Sequence, residues 1–187
     1  MIADKDRSYY IGASDTKFVM GNWKTKTFEK WWREKQGLYK NTFTNEAMQA
    51  GSAWEHRILD ALGIPGLEKD KQIIDGRLRV NLDGNTKFKI YEVKTHNANK
   101  TFKVSKDYLM QVQVQMYASG IHKACIVSYG LVSEDYKNFY RPIDRNRLHI
   151  HEIEYDRDFI EKYKKRLAYL SMCLEKGLFP RESGCCA

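Results

Sequence analysis

The sequence predicts an α/β fold in which strands lie between amphipathic helices. Residues Lys87–Lys94 alternate polar and apolar side chains and are rich in β-branched and aromatic residues, as is typical of a strand. Residues Ala124–Val132 form a mostly apolar run, which indicates a strand buried within a sheet. Residues Asn45–Leu62 and Asp156–Lys176 instead carry apolar side chains at helical spacing. The length of 187 residues suits one domain.

The composition indicates a basic folded protein. Hydrophobic residues make up 42% of the chain, and 32 lysines and arginines exceed 24 acidic residues, which gives a pI near 9.2. A basic balance favours a polyanionic partner, nucleic acid above all, although a solvated basic surface would also explain it.

The cysteine spacing and the hydropathy pattern argue against a zinc-ribbon protein, a secreted protein and a membrane protein. Cys125 and Cys173 lie in apolar surroundings and are expected to be core thiols, whereas Cys185 and Cys186 follow in a short tail. None of them forms a CxxC pair, so a zinc ribbon is not expected. We find no signal-peptide pattern and no apolar run of membrane-spanning length, and therefore expect a cytoplasmic protein without a membrane partner.

The N-terminal residues are predicted to form short helices. Ser14 and Asp15 are good N-cap residues for a helix that ends at Gly21, and Thr27–Gln36 predicts a second helix. A helix start can bind phosphate, and Arg7 could fold back onto the same anion. The alternative is a capped helix with an unrelated arginine.

Two Asp-Gly pairs predict two turns. Asp75-Gly76 predicts a hairpin between Gln72–Ile74 and Arg77–Asn81. Asp83-Gly84 predicts a second turn, which leads into the strand Lys87–Lys94.

Residues Ser105–Ser119 predict a helix that is capped by Ser105 and ended by Gly120. Its glutamines are Gln111, Gln113 and Gln115. They could hold a metal-bound water or a DNA phosphate, or form a polar helix face, and the roles of Gln113 and Gln115 stay open.

An edge strand is predicted at Arg147–Glu154. His149 and His151 lie on it, but no third ligand is near in sequence, so a zinc site is not expected.

A cluster of acidic residues around the central strand predicts a cation site. Glu92 and Lys94 project from the same strand face, either as an ordinary surface pair or as part of a site. The turn at Asp83 would bring a second carboxylate to the same sheet edge, and Asp75 is better explained as turn chemistry. With the Val93 carbonyl, these oxygens suit Mg²⁺, and a lysine beside the metal can polarise water. Glu55 lies beside the buried stripe of its helix, where it needs a partner or a metal unless it reaches solvent.

The order of these residues resembles the phage lambda exonuclease family, the YqaJ-type viral recombination nucleases of the PD-(D/E)XK superfamily. The residues that carry the resemblance are Ile11-Gly12-Ala13-Ser14-Asp15, Gly51-x3-Glu55, Asp83-Gly84, Glu92-Val93-Lys94 and Gln111. The chain departs from the family pattern at Leu82, which stands where proline is expected.

The resemblance implies a central mixed β-sheet flanked by helices, with a restriction-endonuclease-like core. The chain 1–187 is then one nuclease domain, with N-terminal helices in 1–65, the sheet and catalytic core in 66–155, a C-terminal helix in 156–178 and a short tail.

The resemblance also implies the roles of particular residues. Asp83, Glu92 and the Val93 carbonyl would bind Mg²⁺, for which Mn²⁺ would substitute, with Glu55 assisting. Lys94 would activate or position the attacking water, and Gln111 corresponds to the glutamine of the family motif. Arg7 and Ser14 would receive the 5′ phosphate of the cleaved end.

The implied activity is 5′-to-3′ exonuclease digestion of double-stranded DNA ends in phage-type recombination. Implied partners are a single-strand annealing protein and further copies of the chain in a ring-shaped trimer. Two alternatives stay open: a structure-specific or restriction-like endonuclease, and a catalytically inactive DNA-binding scaffold. The intact Asp83, Glu92 and Lys94 argue against the second alternative.

Overall fold

The protein is built on one mixed sheet with helices on both faces. A computed structural model describes residues 8–38 and 45–182. The described strands are β1 (Ile11–Gly12), β2 (Glu68–Asp75), β3 (Leu78–Asn85), β4 (Ile90–Asn97), β5 (Lys123–Leu131) and β6 (Leu148–Glu154). The described helices are α1 (Thr16–Val19), α2 (Lys26–Lys35), α3 (Glu46–Ala61), α4 (Lys106–Ser119) and α5 (Arg157–Glu175).

The strand order leaves an opening beside β3. The sheet runs β1-β3-β4-β5-β6, with β2 paired along the whole of β3. β1 pairs with β3 at Leu78 and Arg79, and β4 pairs with it only at Gly84 and Asn85. Because β2 occupies one edge of β3, β1 and β4 share the other edge at opposite ends. The middle of β3 therefore lacks a strand partner on that edge, and β4 separates from it.

Two hydrophobic clusters cover the two faces of the sheet. On one face, Ile90 and Ile126 pack with Val112 of α4 and Ile160 of α5. On the other face, residues of β4 and β5 pack against α3; they are Tyr91, Val93, Val127 and Tyr129, together with Trp54 and Ile58 of the helix. The predicted fold class, a mixed sheet flanked by helices, is confirmed.

The helix boundaries agree closely with the capping pattern. Ser105 accepts a hydrogen bond from the Tyr108 N–H at the start of α4, and Gly120 ends the helix with φ of +71°. Asn45 caps α3 in the same way. Cys125 and Cys173 are buried free thiols, as predicted. None of the described helices is both long and apolar enough to cross a membrane.

Asp15 occupies the N-cap position of α1, as predicted, but its side chain does not cap the helix, and Ser14 lies within the preceding turn. Residues Ala13–Asp15 form a 3₁₀ turn, and α1 begins only at Thr16. The Asp15 carboxylate accepts a hydrogen bond from the Gly12 N–H at 2.9 Å and does not cap α1. The acidic side chain therefore closes the turn that precedes the helix.

The predicted two-residue hairpin is confirmed with its turn shifted by one residue, whereas the predicted turn at Asp83-Gly84 is wrong. Asp75 pairs with Leu78, so the first turn consists of Gly76, with φ of +56°, and Arg77. Asp83 and Gly84 lie inside β3, and the chain reverses at Thr86–Lys89, where the Thr86 N–H donates to the Lys89 carbonyl. The following strand accordingly begins at Ile90, later than predicted.

Gly84 lies where the side chains of Leu59 of α3 and of Leu67 approach the backbone of β3 closely. A Cβ there would lie 2.9 Å from Leu59 Cδ2 and 3.3 Å from Leu67 Cδ1. We expect Gly84→Ala to lower the free energy of unfolding by about 1–2 kcal/mol, because the leucines must move, and Gly84→Asn to lower it further. Chemical denaturation measures both. Gly76→Asn is the control, since no atom lies within 4 Å of its Cβ position and asparagine tolerates positive φ. Equal tolerance of asparagine at the two positions would contradict this role for Gly84.

Candidate active site

Glu92 is the centre of a buried polar cluster. Its residue is 1% exposed, and three side chains donate hydrogen bonds to its carboxylate. Lys94 Nζ and Gln111 Nε2 reach Oε1 at 2.6 and 2.5 Å, and Gln115 Nε2 reaches Oε2 at 2.5 Å. A buried carboxylate without such donors would be strongly unfavourable. An ionised carboxylate offers about four acceptor positions, so this one retains capacity for a cation.

Local periodicity explains this cluster. Glu92 and Lys94 are neighbours on one face of β4 because strand side chains alternate. Gln111 and Gln115 lie one turn apart on α4 and therefore reach the same carboxylate. Gln113 points elsewhere, donates to the Glu154 carbonyl at 2.6 Å and accepts from the Asp156 N–H at 2.7 Å. It joins α4 to the start of α5 and is not part of the site.

Lys94 is held as an ammonium ion. Burial alone would lower the pKa of Lys94, but the charge and hydrogen bond of Glu92 outweigh burial, so the pKa lies above its ordinary value. Its Nζ also contacts Gln111 Oε1 at 3.3 Å and lies 5.0 Å from the centre of the Tyr108 ring. A protonated lysine can donate to water or to a phosphate oxygen, but it cannot accept a proton.

Asp83 lies where β3 and β4 separate. Its Oδ2 accepts a hydrogen bond from the Val93 N–H at 2.8 Å, which places a second carboxylate beside Glu92. Burial raises the pKa of Asp83 well above its ordinary value, and the charges of Glu92 and Glu55 raise it further. The site therefore concentrates negative charge that a bound cation would neutralise.

Glu55 reaches the same region from α3. Burial raises the pKa of Glu55, and the charge of Glu92 adds to that effect. Its carboxylate also groups with His56 and Asp70, whose ligand atoms all lie within 4.8 Å of one another. His56 Nε2 contacts Asp70 Oδ2 at 2.9 Å near the surface. Glu55 thus lies between the buried acidic site and this exposed pair.

The donor set fits a hard divalent cation. Asp83, Glu92 and Glu55 supply carboxylate oxygens, and oxygen ligands are those that Mg²⁺ prefers. Val93 contributes a backbone N–H that orients Asp83. Metal binding by its carbonyl stays a prediction. Asp75 pairs with Leu78 at the far end of β3, which is consistent with the choice of Asp83.

A cavity adjoins the acidic cluster on the β1 side, and we call it the terminal cavity. Its volume is about 320 Å³, and it is lined by Tyr10, Gly12, Ala13, Ser14, Asp15, Glu34, Lys35, Arg79, Asn81, Asp83 and Gln111. Ser14 is therefore brought to the same cavity as Asp83 and Gln111. Arg7, its predicted partner, lies outside the described residues.

Sequence reasoning missed two cations of the terminal cavity. Lys35 Nζ contacts Asp15 Oδ2 at 2.8 Å and the Tyr10 carbonyl at 2.7 Å. The Arg79 guanidinium lies 5.0 Å from the centre of the Tyr10 ring. Arg79 sits on a strand in a run of alternating residues, and nothing in that pattern distinguished it from a solvated arginine.

Solved structures with a similar fold include exonucleases. The alkaline exonuclease LHK-Exo from Laribacter hongkongensis superposes with a TM-score of 0.73 at 21% identity, covering 92% of this chain and 91% of that chain. LHK-Exo in complex with dAMP gives 0.70 at 21% identity, covering 91% and 90%. A phage-related exonuclease from Haemophilus somnus 129PT gives 0.64 at 16% identity, covering 89% and 94%.

The sequence comparisons return no relatives. No family model matches the chain, and no curated protein matches it. The resemblance to the lambda-type exonucleases is thus confirmed at the level of the fold, across almost the whole chain.

Proposed function

We propose that this protein is a metal-dependent deoxyribonuclease that digests duplex DNA from 5′ ends. The observation that carries the proposal is the convergence of Asp83, Glu92 and Glu55 with the Lys94 ammonium at the opening between β3 and β4. The exonucleases that share the fold support it.

The residues divide into cation ligands and groups that position them. Asp83 and Glu92 would hold Mg²⁺ or Mn²⁺, with Glu55 assisting and the Val93 carbonyl as a further ligand. The bound ion would supply Lewis acidity and a lowered pKa of the attacking water. Gln111 and Gln115 fix the Glu92 carboxylate by hydrogen bonds to both of its oxygens. Lys94 donates to the attacking water or to an oxygen of the scissile phosphate, where negative charge develops.

The terminal cavity suits the nucleotide that carries the 5′ phosphate. Its volume of about 320 Å³ is in the range of small-ligand sites, and LHK-Exo, which shares the fold, is solved in complex with the nucleotide dAMP. The Ser14 hydroxyl and the Arg79 guanidinium line it and can both donate to phosphate oxygens. Arg7 is proposed to join them.

The test compares linear duplexes with and without a 5′ phosphate, and closed circles, in the presence of Mg²⁺. We expect mononucleotides from phosphorylated 5′ ends and intact circles. Arg79→Gln is expected to lower the preference for phosphorylated ends about tenfold, because a charged hydrogen bond to phosphate is lost. Arg145→Gln, at an exposed arginine outside the terminal cavity, is the control.

The outcomes separate the alternatives. Cleavage of closed circles would identify an endonuclease, and DNA binding without hydrolysis would identify a scaffold. An unchanged end preference in Arg79→Gln would remove this residue from the phosphate site. A trimeric ring stays a proposal, and its first test is the mass of the protein in solution. An annealing partner stays a proposal as well.

A further inference from the structure

His151 and His149 lie in the same cross-strand rows of side chains as Glu92 and Lys94. Across the paired strands, Glu92 of β4 is level with Ile126 of β5 and His151 of β6. The next row joins Lys94, Ser128 and His149. Paired residues of neighbouring strands project from the same face of a sheet. His149 and His151 therefore lie on the face that carries Glu92 and Lys94.

These histidines line a second cavity, which we call the histidine pocket. Its volume is about 430 Å³, and its lining residues are His96, Ala98, Asn99, Lys100, Thr101, Phe102, His149 and His151. No carboxylate is among them, in contrast to the terminal cavity. Lys100 and His149 are exposed, so their donor groups are accessible.

Aromatic rings connect the histidine pocket to Lys94. The Phe102 ring lies 5.1 Å from both His96 and His151, and it stacks on Tyr108 at 6.2 Å. The Tyr108 ring in turn contacts the Lys94 ammonium at 5.0 Å. Aromatic faces beside cationic donors are the usual elements of a surface that binds nucleic acid strands.

The two cavities flank the acidic cluster on opposite sides. The terminal cavity lies on the β1 and β3 side, and the histidine pocket lies toward β5 and β6. Strands are about 4.8 Å apart, so His149 is about 10 Å from Lys94 across the sheet. A DNA strand covers that distance in about three nucleotides, at roughly 3.4 Å of axial rise each.

We propose that the histidine pocket binds the phosphodiester backbone of the cleaved strand on the 3′ side of the scissile bond. This inference rests on the proposed function. The terminal nucleotide occupies the terminal cavity, the scissile phosphate lies at Lys94, and the following phosphates receive hydrogen bonds from Lys100 and the imidazole N–H groups. Phe102 offers a ring on which a base can stack.

The arrangement does not suit a transition metal. The Phe102 ring lies 5.1 Å from both His96 and His151, so an aromatic side chain shares the pocket with the imidazoles. Within residues 8–38 and 45–182, the ligand atoms that do converge are those of Glu55, His56 and Asp70, not those of the three histidines.

The test is the dependence of hydrolysis on substrate length. A 5′-phosphorylated DNA dinucleotide has no phosphate beyond its single internal phosphodiester, whereas a 12-nucleotide duplex has many. The double variant Lys100→Gln/His149→Gln is expected to raise KM for the duplex about tenfold or more and to leave dinucleotide hydrolysis unchanged. His122→Gln is the control, because His122 is an exposed histidine that stacks on Tyr155 outside the pocket.

Salt dependence adds a readout that altered folding would not reproduce. DNA binding is measured in a Lys94→Ala background, where the substrate survives. Loss of the charged contact of Lys100 to phosphate is expected to reduce the slope of log affinity against log salt by about 0.7–0.9. Equal losses on dinucleotide and duplex, or an unchanged slope and KM, would overturn the proposal. Failure of the proposed function would appear separately, as absence of hydrolysis of either substrate by the unmodified protein.

Discussion

Lys94→Ala is expected to lower the rate of Mg²⁺-dependent DNA hydrolysis by about 10²–10⁴-fold. The substitution removes the ammonium that lies beside Glu92 and that is held in its charged form. Gln111 and Gln115 still donate to the Glu92 carboxylate, so the buried acid keeps two partners and the fold should persist. Single-turnover cleavage of a 5′-phosphorylated duplex measures the chemical step.

Lys89→Ala is the matched control for this substitution. Lys89 immediately precedes β4, and its Nζ forms an exposed ion pair with Glu152 at 2.6 Å. Its loss should change cleavage little, because such pairs contribute weakly. Wild-type cleavage by Lys94→Ala, with unfolding still cooperative, would show that this lysine does not act in hydrolysis.

The central acid and lysine could be predicted because strand periodicity is local. Because successive side chains of a strand point to opposite faces, Glu92 and Lys94 share a face wherever this strand lies in the fold. Gln111 and Gln115 are four residues apart, so helical spacing also places them on one flank of α4. That Gln115 would reach Glu92 Oε2 could not be predicted, because the contact depends on how α4 packs against β4.

Asp83 reaches the acidic cluster by a different route from the one that the local sequence argument predicted. The sequence suggested that Asp83-Gly84 turns the chain back toward Glu92. In the structure Gly84 instead admits Leu59 of α3, and Asp83 reaches Val93 because β3 and β4 part at this point. Asp-Gly is a turn signal only where positive φ is needed, and close packing of a helix selects glycine equally well.

Residues of the two cavities were the least predictable. Arg79 and Lys35 meet Ser14 only through the parallel pairing of β1 with β3 and the packing of the N-terminal helices. The expectation that His149 and His151 do not form a zinc site stays a prediction, and their proximity to His96 depends on two strand registers. The residues that meet in each cavity are determined by strand pairing between distant parts of the chain, and local sequence patterns do not predict that pairing.

Asp83→Asn is expected to stabilise the metal-free protein and to abolish its stabilisation by Mg²⁺. A carboxyl group whose pKa is raised on folding favours the folded state fully at acid pH, and this contribution is lost as the pH rises through the folded pKa. Because burial and the charges of Glu92 and Glu55 raise the pKa of Asp83, its ionised form opposes folding at neutral pH. Asparagine removes that charge and can still accept the Val93 hydrogen bond.

Thermal unfolding with and without Mg²⁺ checks both parts of this prediction. At Mg²⁺ concentrations of about 100 Kd, the wild-type protein should gain about 2.7 kcal/mol, which corresponds to roughly 5–10 °C in Tm. Asp83→Asn should have a higher Tm than the wild type without metal, with the difference increasing above the ordinary carboxyl pKa, and should gain little from Mg²⁺. Asp75→Asn, at the exposed β2–β3 hairpin, should behave as wild type under both conditions.

Asp83→Asn is expected to raise Tm without metal and to remove the increase in Tm that Mg²⁺ causes. Because these two effects have opposite signs, the experiment decides whether Asp83 belongs to the metal site. A carboxylate that only supported the fold would lower Tm when replaced, with or without Mg²⁺. Replacing a carboxylate that only carried surface charge would change Tm neither without nor with Mg²⁺. Higher stability without metal, combined with loss of the Mg²⁺ effect and of hydrolysis, is expected only if like charges are held together at the opening between β3 and β4 to bind a cation. A destabilised Asp83→Asn variant that still responds to Mg²⁺ would place the cation elsewhere.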